Sequence, residues 1–299
     1  MKKYFLWPAL IMLLVATTTL NAQVRKRMNN KYLKTDLPRP QKVNNNVVAH
    51  RGGSLEKGCP DNSIEALTYA IGLGCYASEC DVYLTKDNRV IVAHADENDK
   101  INGFHPWEAT FDEIVNAAKL ENGEVIPSLE EYLKHVLDAG TTILWIDVKF
   151  MSSIPASRAD ELASKCIEVS SDIIRKMHAQ NFVEVITPRK KIHISALQGA
   201  KGEWQCGLMD THFSPEQFKE EDFNWANFYN TKVFYHDGMV KGVYSIEDYL
   251  KKGIKVSIYH VDSEKDKEYY ISKIKKLHAL TTNYPAALLM SIKASAGRK

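Results

Sequence analysis

The chain has no excess of charge of either sign. Its 39 lysines and arginines nearly balance 37 aspartates and glutamates, for a net of +2. Charge alone therefore implies no nucleic-acid partner and no acidic one. Cysteine is scarce, with five residues at positions 59, 75, 80, 166 and 206. None has zinc-type spacing. An odd count leaves at least one thiol outside any disulfide within the chain. Cys59 with Cys75 is the pairing in view, and buried free thiols are the expectation for most of the five. No Gly-x-Gly-x-x-Gly stretch supports a dinucleotide fold. Internal repeats are absent, and so is low-complexity sequence beyond the N-terminal segment.

The N-terminal apolar run, Leu6 to Val15, is short for a membrane span. With Lys2 and Lys3 before it and Leu20-Asn21-Ala22 after it, residues 1–22 read as a secretory signal cut after Ala22. No cysteine stands at the cut, so a lipoprotein is not expected. Residues 23–45 are polar, with Pro38, Pro40 and an asparagine run, and are expected to form a flexible leader. The expectation is a secreted or periplasmic protein without stable membrane insertion after cleavage. Its folded domain would run over residues 46–299.

What is present begins with Val47 to Gly53, Val-Val-Ala-His-Arg-Gly-Gly. Small apolar residues end a buried strand. An imidazole, a guanidinium and two glycines follow. Glycine lets backbone approach a ligand closely. His50 can move a proton near neutral pH. Arg51 offers a planar fork that matches phosphate or carboxylate.

Downstream, Asn62-Ser63-Ile64-Glu65 reads as a capping box with Asn62 as the cap. Ile64, Leu67 and Ile71 then mark one helical face. Residues 75–85 alternate, with Ala77, Glu79, Asp81 and Tyr83 on one face. Lys86 to Asn88 is a turn, and Arg89 to Ala93 a short strand ending at His94. Residues 95–126 are irregular and read as an insertion, with a short helix at Phe111 to Ala118. A helix is expected over Pro127 to Asp138, a strand over Ile143 to Phe150 and a long helix over 159–178. Further strands are expected at Lys191 to Leu197, Gln205 to Met209, Asn227 to Tyr235, Lys255 to Val261 and His278 to Thr282. Helices fall at Pro215 to Asp222, Ser245 to Lys252 and Lys265 to Leu277. Strands alternating with helices mean a parallel sheet. About eight such units in roughly 250 residues fit a closed (β/α)8 TIM barrel with an insertion after the second strand. A doubly wound open sheet is the alternative.

In a barrel the C-terminal strand ends build one site. Those ends carry His50 and Arg51, then Glu79 and Asp81, then His94, then Asp147 and Lys149. Three carboxylates on neighbouring strands repel unless a cation lies between them. Oxygen-only ligands favour a hard divalent ion, magnesium or calcium. Such an ion polarises a phosphoryl oxygen. Arg51 and Lys149 would hold the remaining phosphate charge, and His50 and His94 would serve as acid and base.

These residues, in this order, resemble the glycerophosphodiester phosphodiesterase family. The likeness runs from about Val47 to Tyr284. The family's opening His-Arg-Gly is similar to His50-Arg51-Gly52, and its Pro-Glu-Asn-Thr to Pro60-Asp61-Asn62-Ser63. Its Glu-x-Asp pair matches Glu79 and Asp81, its second histidine His94, and its Glu-Leu-Lys strand Asp147-Val148-Lys149. Its Trp-Thr-Val-Asn resembles Tyr259-His260-Val261-Asp262, and its Thr-Asp-x-Pro resembles Thr282-Asn283-Tyr284-Pro285. The resemblance implies a barrel enzyme that uses one divalent cation, Mg or Ca. It implies hydrolysis of a small-molecule glycerophosphodiester to glycerol phosphate and an alcohol. It assigns His50 and His94 to acid–base work and Glu79, Asp81 and Asp147 to the metal. Asp61 and Asp147 are each one methylene shorter than the family's glutamate, Ala95 follows His94 in place of aspartate, and Tyr259 replaces tryptophan. Two other functions share these features. One is a lipid-active relative, a lysophospholipase D or phosphoinositide phospholipase C, with Phe104 and Trp107 available to acyl chains. The other is a non-catalytic barrel that binds phosphate or headgroup.

Overall fold

The structure is a computed structural model, and it describes residues 37–230, 239–240 and 244–297. Eleven strands are present among the described residues. They are β1 (Val47–Ala49), β2 (Ala77–Leu84), β3 (Val90–Val92), β4 (Ile143–Val148), β5 (Val183–Thr187), β6 (Gln205–Met209), β7 (Trp225–Tyr229), β8 (Met239–Val240), β9 (Tyr244–Ser245), β10 (Lys255–Tyr259) and β11 (Ala279–Thr282). Strands β1, β2, β4, β5, β6, β7, β10 and β11 pair in parallel, and β1 closes the ring by pairing with both β11 and β2. The chain is therefore a closed eight-stranded parallel barrel, the TIM architecture, and the open-sheet alternative is excluded. β3 lies outside the ring as an antiparallel partner of β2. The insertion follows it, with its own apolar cluster around Ile101, Phe111, Ile114 and Ile126.

Alternation along each strand sorts the core into two layers. On β4, Leu144, Ile146 and Val148 face the surrounding helices. Ile143 and Trp145 face inward, where they meet Val48, Ala77, Ile186, Trp225 and Ala279. Gly207 makes room for this inner layer. A Cβ there would stand 2.3 Å from the Trp225 indole.

The helices are α1 (Ser54–Lys57), α2 (Ile64–Gly72), α3 (Phe111–Ala117), α4 (Leu129–Ala139), α5 (Ala156–Lys176), α6 (Lys190–Ala200), α7 (Pro215–Glu220), α8 (Ile246–Lys251), α9 (Glu264–Lys273) and α10 (Pro285–Ala296). Thr110 with Glu113, Ser128 with Glu131, Ser214 with Gln217 and Ser245 with Asp248 form capping boxes. Such a cap stabilises a helix by about 1 kcal/mol. No helix among the described residues is long and apolar enough to cross a membrane.

Several sequence expectations are corrected. Lys191 to Leu197 is not a strand but part of α6. Ile192 and Ile194 mimic a two-residue period, yet Ile192, Ala196 and Ala200 recur every four residues and form the buried helical face. The strand is Val183–Thr187, β-branched at every position but Glu184, and it ends before Pro188. Ser63, not Asn62, caps α2, and Glu124 accepts from Ile64 N and Glu65 N. Ser128 caps α4, so Pro127 precedes that helix. β7 begins at Trp225 and ends at Tyr229, and residues 231–235 lie outside the described residues. All five cysteines are free, Cys59 and Cys75 included. The expected signal over residues 1–22 and residues 23–36 lie outside the described residues, but residues 37–45, the end of the expected leader, are tied down. Asn45 accepts from Val47 N and Tyr76 N and donates to Gly74 O. Gln41 N donates to Gly140 O, and Asn181 donates to Pro38 O. The asparagines are turn formers that here satisfy backbone at the barrel floor.

Candidate functional site

The β1 strand ends in a tight reversal. Arg51, Gly52 and Gly53 have φ of 49°, 82° and 77°, three successive left-handed residues. Glycine tolerates this without strain; arginine does not. A Cβ on Gly52 would stand 2.6 Å from the Ala66 backbone carbon, so the loop lies directly on α2. The reversal aims Arg51 N–H at Glu79 Oε2, 2.8 Å away. It also carries the Arg51 side chain over β2, where Nε sits 3.1 Å from Asp81 Oδ2 and Nη1 2.7 Å from Asp61 Oδ2. Ser54 Oγ donates to the other oxygen of Asp61.

Glu79 and Asp81 lie two apart on β2, and Asp147 pairs with Asp81 in register on β4. Ligand oxygens of all three lie within 4.8 Å of one another, and all three residues are buried. Lys149 Nζ lies 3.0 Å from both Asp81 Oδ1 and Asp147 Oδ2. Asn62, at φ +57°, donates from Nδ2 to Asp81 Oδ2 and accepts Asp81 N–H. That double bond explains why Asn62 is not the helix cap.

The electrostatics show an acidic cluster that two cations do not fully compensate. Burial, then Asp81 and Asp147, push the Glu79 carboxyl well above its usual range. Asp147 is raised by burial as well. Asp81 is the exception. Burial would raise it, but Lys149 and Arg51 outweigh that and hold it at about 2. Lys149 rises well above its ordinary value, because Asp147 and Asp81 outweigh its own burial. Asp147 Oδ1 is buried with no hydrogen-bond partner. An orphaned carboxylate oxygen within an oxygen-only donor set fits a hard divalent cation. Asp147, though shorter than glutamate, reaches the cluster.

His50 flanks this cluster, its Nε2 3.9 Å from Glu79 Oε2 and its Nδ1 2.7 Å from Asn283 Oδ1. Burial, then Arg51, lowers its pKa to about 4, so the ring is neutral at pH 7. His94 stands at the rim beside Asp81, because Ala93 N–H donates to Asp81 O. Its side chain is exposed to solvent, yet the protein around it lowers its pKa, against the pull of Asp81. His50, Arg51, Glu79, Asp81, Asp147 and Lys149 thus form one connected set at the barrel mouth, with His94 at its edge. Residue-by-residue reading took Asn62 for a helix cap and assigned no part in the site to Asn62, Asp61, Asp262 or Asn283. The signal for them was only their place in the resemblance.

The model of the glycerophosphoryl diester phosphodiesterase family matches residues 50–287. A glycerophosphodiester phosphodiesterase of Caldanaerobacter subterraneus subsp. tengcongensis is 24% identical over 241 residues, which is 75% of this chain and 89% of that protein. A solved glycerophosphodiester phosphodiesterase of Parabacteroides distasonis is similar with a TM-score of 0.72 at 25% identity, covering 86% of this chain and 100% of that one. A phosphodiesterase of Oleispira antarctica, solved with the product sn-glycerol-3-phosphate, gives a TM-score of 0.65 at 18% identity, covering 86% and 97%. At that identity the likeness is one of fold.

Proposed function

Because this chain belongs to the glycerophosphoryl diester phosphodiesterase family, we propose that it hydrolyses glycerophosphodiesters to glycerol phosphate and an alcohol. It is a phosphoric diester hydrolase by family and by relatives. The reading adds that it works outside the cytoplasm, with one magnesium or calcium ion. The observation that carries the metal is the buried Glu79, Asp81 and Asp147 cluster, whose ligand oxygens lie within 4.8 Å of one another. These three residues would hold the ion, which when bound polarises a phosphoryl oxygen.

The chain's own groups do the rest. Asp81 and Asp61 occupy Nε and Nη1 of Arg51, which leaves Nη2 to meet a phosphate oxygen. Lys149 supplies a second positive charge against the phosphate. His50 and His94 divide the proton transfers. One takes a proton from the attacking water as the new P–O bond forms. The other gives a proton to the departing alkoxide as the old bond breaks. Water supplies the net hydroxyl, and the alcohol leaves neutral.

The test is turnover of glycerophosphocholine and related diesters by the full chain, before and after exhaustive chelation. Chelation should abolish activity, and added magnesium or calcium should restore it. Asp147→Asn should need more metal for half-maximal rate, and metal should raise Tm by binding only the folded state. Full activity without metal would overturn the site. Faster hydrolysis of lysophosphatidylcholine would favour the lipid-active relative. Trp107, however, is accounted for by packing, since it stacks on His105 at 4.6 Å and lies against the insertion's apolar cluster. Metal-dependent binding of a diester without turnover would leave the non-catalytic barrel. Export is tested by the N-terminus of the secreted form, expected after Ala22.

A further inference from the structure

A second hydrogen-bonded chain at the mouth ends on His50. Its far end is Asp262, whose Oδ1 accepts from Thr282 Oγ1 and from Asn283 N–H, both at 2.8 Å. Its other oxygen, Oδ2, accepts from Asn283 Nδ2 at 2.7 Å. Asn283 Oδ1 in turn lies 2.7 Å from His50 Nδ1. The chemistry of these groups removes any freedom in the roles. An ionised carboxylate only accepts, so the amide must turn its NH2 to Asp262 and its oxygen to His50. An amide oxygen also only accepts, so Nδ1 of His50 must carry the hydrogen. Nε2 is then left with a bare lone pair on the side of Glu79. His260 lies farther out, its Nδ1 3.4 Å from both Asp262 Oδ2 and Asn283 Nδ2, and its ring meets His50 edge-on at 4.9 Å. It walls the imidazole in without competing for Nδ1.

We propose that Asp262 and Asn283 are positioning residues that lock His50 in its Nδ1–H tautomer with Nε2 presented to the reaction. The proposal rests on the reading that His50 belongs to the acid–base pair. It also turns two departures from the family pattern into one. Asparagine and aspartate in that pattern stand where Asp262 and Asn283 stand here. Exchanging the two residues keeps the same hydrogen bond with donor and acceptor traded. Either arrangement shows His50 an oxygen. This chain shows it a neutral one and keeps the negative charge one hydrogen bond farther away.

The experiment is a reciprocal exchange in the metal-loaded full chain. Groups that orient an imidazole are worth about 10- to 100-fold when removed. Asp262→Asn sets amide against amide, and kcat should fall by about that factor with KM nearly unchanged. Asn283→Asp sets carboxylate against carboxylate and should fall at least as far. The double exchange should recover kcat to within a few-fold of wild type. A structural brace alone would give the same pattern in Tm, so the deciding readout is the tautomer. With 15N-labelled imidazoles, and His50 assigned by His50→Gln, wild type and the double variant should show Nδ1–H. Asp262→Asn should show a mixture of tautomers. Nε2–H in wild type, or single exchanges that leave both kcat and tautomer unchanged, would overturn the proposal. An active His50→Ala would instead sink the acid–base reading, while the tautomer spectrum still decides this one.

Discussion

The two ends of the barrel are built from the same strands and differ in how charge is arranged. Near the floor, two buried polar networks are closed by hydrogen bonds. Trp225 Nε1 donates to Ser257 Oγ, which donates to Asn227 Oδ1, both at 2.9 Å. Glu184 takes Tyr76 Oη at 3.2 Å and His278 Nε2 at 3.0 Å. At the mouth, three carboxylates crowd together, and Asp147 Oδ1 has no hydrogen-bond donor. On β4 the change takes two residues, from Trp145 inside the core to Asp147 in the cluster. The difference teaches that stability and chemistry are separable along one strand. The floor supplies the stability, and the mouth spends part of it holding like charges together.

Variants can break that separation. The largest effect should come from His50→Ala or His94→Ala, each lowering turnover by roughly two to four orders of magnitude with little change in Tm. The double variant should cost little more than the worse single one, because the pair acts as a unit. Near-wild-type rates in His50→Ala would remove the mouth's chemistry from this histidine. Next is Arg51→Lys, which keeps the charge but cannot span Asp61 and Asp81 at once. A loss of at least about tenfold in kcat/KM is expected, and unchanged kinetics would reduce Arg51 to a background charge.

At the floor the sign of the experiment reverses. Gly207→Ala forces a methyl into the Trp225 indole and should cost about 3 kcal/mol of stability. The enzyme that remains folded should show wild-type kcat. A drop in kcat without a drop in Tm would show that the two ends are coupled. The smallest effect concerns His193, buried behind the ring, where desolvation lowers its pKa to about 4. Unfolded, it would titrate near 6.5, so the unfolded state binds more protons between those values. Stability should therefore fall as pH drops through that window, by on the order of 2 kcal/mol at pH 5 for this one group. His193→Gln should flatten that part of the profile in urea titrations while leaving the activity profile unmoved.

The sequence made the mouth more legible than the scaffold around it. Glu79, Asp81, Asp147 and Lys149 alternate with apolar residues on short strands, so a two-residue period puts them on one face. The eight-unit alternation of strands and helices likewise pointed to the closed ring. Lys191 to Leu197 misled because two isoleucines with one residue between them satisfy a strand's period locally, and only packing against α5 reveals the helix. The partners of the site were illegible for another reason. Asn62 meets Asp81 across 19 residues, Asp262 meets Asn283 across 21, and Asn283 meets His50 across 233. No local period records bonds of that range. Asn62 even carried a competing signal, since asparagine before a helical run is a common cap.

The clasp on the leader has a practical consequence. Pro38, Gln41 and Asn45 are fastened to Asn181, Gly140 and Gly74, which sit at the N-terminal side of their strands. Residues 37–45 are therefore held on the face opposite the mouth. A bead, a fluorophore or a tether joined there would hold every molecule with its opening turned outward, and substrate would arrive without passing the linker. Surface-immobilised protein attached through that end should keep its solution KM, whereas attachment through lysines at random would bury a share of the openings against the support.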